Sequence, residues 1–461
     1  MSAVLAAGLS PCPMSAQTSA PSLPQASVDP MRVDPARDPV LGLGRTSGDA
    51  AVFRQMIARA VGESPSSTEA AAEIEAADAA RDQARAGLYP YVDIGANSYR
   101  TIARRFDNNL ETIVEQSRAE SRTDITLNAQ QTVIDFGATS RRIDAASARL
   151  RAAAANSEDV ADRVALRAIG AWYDVFVFRA LVRLGETFSQ SQRELRTAVD
   201  LRIREGLSAP GDLARVESYI ASADIRLAQY RRQLGDAEAR FTEMLRTAPP
   251  PDLLRAPLLD RAGITRDFAS EASRTRPAVR VAELQAEAAR QDARAVRADT
   301  MPVVTAGIQA GRYGLLEDLR DYDVRGVVTL RKRFFGGVDA RADQARAQAA
   351  SADARASRVR EEASREAIVA WSDVRSLEAQ LAAVEQSYVA ARRSRDVLVE
   401  RFRVARGTLF DVLAAEDGFF LAATSYIQVI GELDAARYVL LSRTGRLLPA
   451  LQITPAQGRL P

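Results

Sequence analysis

Two periodicities alternate along this chain. Val92, Ile94 and Ala96 alternate with Asp93, Gly95 and Asn97, and Ile125, Leu127 and Ala129 alternate with Asp124, Thr126, Asn128 and Gln130. Further on, Val304, Ala306, Ile308 and Ala310 oppose Thr305, Gly307 and Gln309, and Val324, Val328 and Leu330 oppose Asp323, Arg325 and Thr329. Period 2 predicts four strands, each apolar on one face and polar on the other. Each window runs about ten residues, the length of a tilted membrane-spanning strand. Between them the period becomes helical. Leu166, Ile169, Tyr173, Phe176 and Ala180 follow steps of three and four, as do Val374, Leu377, Leu381, Val384 and Tyr388, which is a coiled-coil seam. From Gly137 to Gly206 lie 68 residues without proline, enough for a helix of roughly 100 Å.

The chain repeats itself. Asp135-Phe136-Gly137 matches Phe334-Phe335-Gly336, Trp172 matches Trp371, Asp212 matches Asp411 and Glu217 matches Glu416, all at an offset of 199 residues. Pro90 matches Pro302 where a helical pattern gives way to a strand, because the residue before proline is pushed out of the α region. The expected organisation is a leader over 1–44, a first repeat over 45–250 and a second over 251–448, followed by a tail over 449–461. The first repeat holds a helix, a hairpin at about 91–134 and long helices at about 138–205 and 211–247. The second holds a helix, a hairpin at about 303–332 and long helices at about 338–405 and 409–447.

Composition narrows the chemistry. The 461 residues carry 62 basic and 60 acidic side chains, so no one-signed field is available for nucleic acid. There is no histidine, one cysteine (Cys12) and one lysine (Lys332), which excludes a His-based triad, His or paired-Cys zinc sites and the Walker phosphate loop. We expect no enzyme, no cofactor and no metal. Ala3 to Leu9 resembles the apolar region of a secretory signal without its basic flank, and Cys12 is a candidate for lipidation set between two prolines. No run of apolar residues reaches the length of a membrane-crossing helix.

Four strands are too few for a lipid-spanning barrel, whose smallest members have about eight. Several copies are therefore needed, and three is the simplest count. Two short hairpins, each joined to a pair of very long helices in a duplicated chain, resemble the TolC-like outer-membrane factor family from about Asp49 to Leu448. The residues that carry the resemblance are Pro90, Pro302, Phe136-Gly137, Phe335-Gly336 and the two tip segments. Gly407-Thr408-Leu409-Phe410-Asp411-Val412-Leu413-Ala414-Ala415-Glu416 is close to the family pattern, whereas the segment from Gly206 to Glu217 departs from it at Pro210 and by two extra residues. The run from Tyr438 to Leu447 is similar to the type I secretion members.

The resemblance implies a mainly α fold with a small β part: four strands per chain contributing to a trimeric 12-stranded barrel in the outer membrane, and a periplasmic barrel of coiled-coil helices. It also implies a membrane-fusion adaptor and an inner-membrane ABC or proton-driven pump as partners, with the chain a passive exit duct for type I protein secretion or multidrug efflux. Asp93, Asn97, Asp124, Thr126, Asn128 and Gln309 would line the wet lumen of the barrel. Gly206, Leu207, Asp212, Gly407, Leu409 and Asp411 would form the periplasmic tips that meet the adaptor, the glycines allowing positive φ. Asp212 and Asp411 are candidates for helix N-caps, and Asp411 for gate ion pairs with Arg204, Arg403 or Arg406. The alternative is a soluble structural or scaffolding coiled coil, which accounts for the helices and leaves the matched strand windows unexplained.

Overall fold

The computed structural model describes residues 24, 37–105, 117, 119–257, 259, 263–317, 321–404 and 406–454. Most of the leader, including Cys12, lies outside the described residues. The elements in order are α1 (Pro39–Gly42), α2 (Ala50–Gly62), α3 (Pro65–Ala86), β1 (Tyr91–Arg100), β2 (Ser121–Ile134), α4 (Ala138–Arg204) and α5 (Pro210–Leu245), then α6 (Arg266–Ser273), α7 (Pro277–Ala298), β3 (Val303–Tyr313), β4 (Asp321–Arg331), α8 (Val338–Arg403), α9 (Leu409–Arg443) and α10 (Leu447–Leu451).

Proline opens α3, α5 and α7 at the first helical turn, where its missing N–H costs nothing. At both strand-to-helix turns the phenylalanine of the Phe-Gly pair adopts a left-handed backbone, with φ 54° at Phe136 and 64° at Phe335. Gly137 and Gly336 follow at φ 86° and 72°. A side chain is strained there, so the turn needs glycine beside it to reverse the chain within two residues. In the first copy Asp135 accepts hydrogen bonds from the amides of Gly137 (2.9 Å) and Thr139 (2.7 Å) and caps α4.

The chain forms two compact units, and each collects segments of both repeats. One unit comprises Met1–Ala60, Ala165–Ala262 and Ala370–Leu440. Its core is aromatic: Trp172 is buried edge-on to Phe53 (5.2 Å) and donates its indole N–H to the Leu254 carbonyl (2.9 Å). The Arg255 guanidinium, buried beside it, pairs with Asp434 of α9 (2.8 Å) and fixes the linker between the repeats.

The other unit comprises Val61–Val164, Gly263–Val369 and Leu441–Pro461. Its helices meet through small side chains, as where Ala282 and Ala286 of α7 pack on Ala356 of α8. It holds a four-stranded antiparallel sheet in the order β1-β2-β3-β4. The ladder is regular except for one bulge in β2 between Thr132 and Ile134.

Candidate functional site

Strand register decides which side chains share a face. Asp93 lies opposite Asn128, Asn97 opposite Asp124, and Thr126 opposite Gly95. Asn128 is in turn opposite Gln309 on β3. All six side chains expected in a lumen, Asp93, Asn97, Asp124, Thr126, Asn128 and Gln309, therefore stand on one face. The other face carries Val92, Ile94, Leu127, Ile308, Val324 and Val328, and it is bare: Ile94 is 74% exposed and Val328 76%. A sheet that left such a face in water would lose ~1.5 kcal/mol or more for each large side chain it failed to bury. Both edges, β1 and β4, are also unpaired within the chain. Among the described residues no helix is long and apolar enough to cross a membrane.

The second candidate region is the pair of turns α4–α5 and α8–α9. Gly206 has φ 71°, the left-handed conformation expected of it. Gly407 differs: its φ is not left-handed, and a Cβ there would lie 3.2 Å from the Phe402 amide, so glycine spares a tight approach to the end of α8. Neither aspartate is itself an N-cap, which corrects the expectation. Both occupy the third helical position. Asp212 accepts from the Ala209 amide (3.2 Å), while Asp411 accepts from the Thr408 hydroxyl (2.7 Å), and Thr408 caps the Asp411 amide (3.2 Å). The Thr-x-x-Asp spacing was the overlooked signal for that cap.

Leu207 is exposed, as a contact residue should be, but Leu409 is buried with Val199, Val216, Phe402, Val412 and Leu413. The helical period turns Leu409, Val412 and Leu413 inward together and leaves Phe410 outside, so Leu409 is core and not contact surface. Within the chain the expected gate pairs do not form. Arg204 binds Asp200 (2.6 Å), Arg403 approaches Glu400 (3.4 Å), and Asp411 is engaged by Thr408; Arg406 stands exposed. The pairs that do form lie one helical turn away in the same helix, where no loop has to be ordered to make them.

Above the tips a cavity of about 880 Å³ runs between α4 and α8, lined by Gln190, Glu194, Ala198, Arg395, Val399 and Glu416 among others. Arg395 is its buried charge: it approaches Glu416 (3.5 Å), lies over the Phe419 ring (4.4 Å) and donates to the Pro24 carbonyl (2.8 Å). Burial pushes the Glu416 carboxyl above the usual range, and Arg395 only partly opposes the rise. Among the described residues no group of three or more metal-ligating side chains is assembled.

Residues 56–245 and 268–446 match the outer membrane efflux protein family, so both repeats are covered. The chain belongs to the outer membrane efflux protein family. It is 23% identical over 333 residues to the outer membrane efflux protein BepC of Brucella suis, spanning 70% of this chain and 72% of BepC. The fold is similar to that of the outer membrane protein VceC of Vibrio cholerae, with a TM-score of 0.76 at 19% identity, over 86% of this chain and 96% of VceC. It is equally similar to a membrane protein of Pseudomonas aeruginosa, at 0.77 and 20%, over 86% of this chain and 94% of that one. The two-faced sheet and the paired helical turns thus belong to a chain of the outer membrane efflux protein family.

Proposed function

We propose that three copies close their sheets edge to edge into a barrel in the outer membrane and form a passive exit duct. The observation that carries this reading is the sheet itself. Its bare apolar face suits hydrocarbon, its polar face suits a wet lumen, and its two open edges need partners because lipid cannot satisfy them. Pairing β4 of one copy with β1 of the next removes every edge.

The long helices then extend into the periplasm, and the tips at Gly206, Leu207, Asp212, Gly407 and Asp411 meet a membrane-fusion adaptor. An inner-membrane ABC or proton-driven pump supplies the energy. BepC is named for efflux, which supports small-molecule cargo; the run from Tyr438 to Leu447 supports type I protein secretion as the second reading.

Fractionation tests the proposal. A heat-tolerant trimer that needs detergent for extraction from outer membranes is the expected result, and a freely soluble elongated dimer would overturn it. Asp411→Ala probes the tip: raised single-channel conductance is expected if the Thr408–Asp411 turn holds the pore narrow, and unchanged conductance with a lower melting temperature would leave it only a capping role.

A further inference from the structure

The polar face of the sheet is unevenly charged. At its outer rungs Arg122 binds Asp124 at 2.7 Å and Arg325 binds Asp323, while Asp321 at the end of β4 forms no ion pair among the described residues. The middle rungs carry Asn128 and Gln309 with the single carboxylate of Asp93. The last rung, where Val303 faces Arg331, is different.

There the sheet meets the start of α8, and a cavity of about 730 Å³ opens on the polar face. Thr305, Thr329, Arg331, Arg333 and Arg341 line it together with Asp299. Asp299 is already neutralised, because the Arg142 guanidinium holds it at 2.5 Å. Arg331, Arg333 and Arg341 form no ion pair among the described residues. Lys332, between the first two, does not line this cavity and lies over the Phe334 ring at 4.9 Å. Three guanidinium groups per chain without an ion-pair partner thus line one cavity, against the one unpaired carboxylate of Asp339 in the first turn of α8.

We infer that Arg331, Arg333 and Arg341 form a cationic throat at the helix-side end of the barrel that favours anionic solutes over cations. The inference rests on the duct reading, which sets the polar face toward water and repeats the three arginines in every copy. At physiological ionic strength the screening length is about 8 Å, so paired charges farther up the strands cannot cancel the field at this level. Rings of arginine or lysine select anions because an ion entering a confined aqueous section gives up some bulk water and takes the local fixed charge as compensation. The cargo class follows: molecules with carboxylate, sulfate or phosphate groups pass with least resistance, and polycations with most.

The test is a reversal potential. The purified full chain is inserted in a planar bilayer of neutral lipid under a tenfold KCl gradient, and the chloride-to-potassium permeability ratio is read. The wild type is expected to favour chloride. Replacing the three residues (Arg331→Gln, Arg333→Gln, Arg341→Gln) should lower the ratio by about threefold or more, while the matching lysine variants keep it near the wild-type value. Should the glutamine triple fail to assemble, Arg331→Gln alone is read in its place, with a smaller fall expected. A cation-selective wild type, or a ratio unmoved by the glutamine variants in a conducting channel, would overturn the throat and leave the duct intact. Folded trimers that conduct no ions at all would overturn both.

Discussion

One ion pair occurs twice in this chain, in two settings. Arg196 and Glu217 in the first copy stand 199 residues before Arg395 and Glu416 in the second. The first pair is close, 2.9 Å, and open to water, with side chains 45% and 51% exposed. The second is longer, 3.5 Å, and its side chains are 4% and 7% exposed. Duplication kept the chemistry while the surroundings changed it. Arg395 is covered by the Phe419 ring, by Asp396 (2.7 Å) and by the Pro24 carbonyl, so its charge has little water to fall back on. The closer pair is the dispensable one, and the buried pair is the one that cannot be half removed.

The largest expected effect follows from that contrast. Arg395→Ala leaves Glu416 buried without its cation and should cost ~3–5 kcal/mol, against ~0–1 kcal/mol for Arg196→Ala at the exposed site. Melting curves of the two purified variants check this, and equal losses would break the comparison. A smaller contrast separates the tips. Thr408→Ala removes a capping hydroxyl and should cost about 1 kcal/mol, whereas Ala209→Thr supplies one to the uncapped first tip and should gain up to about 1 kcal/mol. The same melting assay reads both.

The smallest effect is in pH dependence. Because burial raises the folded-state pKa of Glu416, its contribution to stability is complete below the ordinary glutamate range and is lost as pH rises through the raised value. From mildly acidic to neutral pH the wild type should therefore lose melting temperature relative to Glu416→Gln. Parallel curves for wild type and Glu416→Gln would show that the burial carries no proton linkage.

Period-2 alternation read from the sequence put all six lumen candidates on one face, because a strand has only two faces and one-residue slips are costly. The long helices and the proline and Phe-Gly boundaries were legible for similar local reasons. The tips were less so. Leu409 reads as exposed when placed beside Gly407, yet the helix it begins already turns it inward against Phe402. Gly407 reads as a positive-φ residue, and only the packed end of α8 reveals that it is there for closeness. Nothing local distinguished Glu416 from Glu217, since the cover over the second pair includes Pro24, from a segment without period. The throat arginines were hidden because Arg331, Arg333 and Arg341 come together only where β4 meets α8.

Alternating accessibility along β1 measures directly whether the two-faced sheet stands in a membrane. With Cys12→Ser as background, single cysteines are placed along β1 from Val92 to Asn97 and exposed to a small water-soluble maleimide in intact outer membranes. Labelling at positions 93, 95 and 97 with protection at 92, 94 and 96 is the predicted result. Equal labelling of both sets would contradict it, since a sheet with water on both faces cannot be the wall of a barrel.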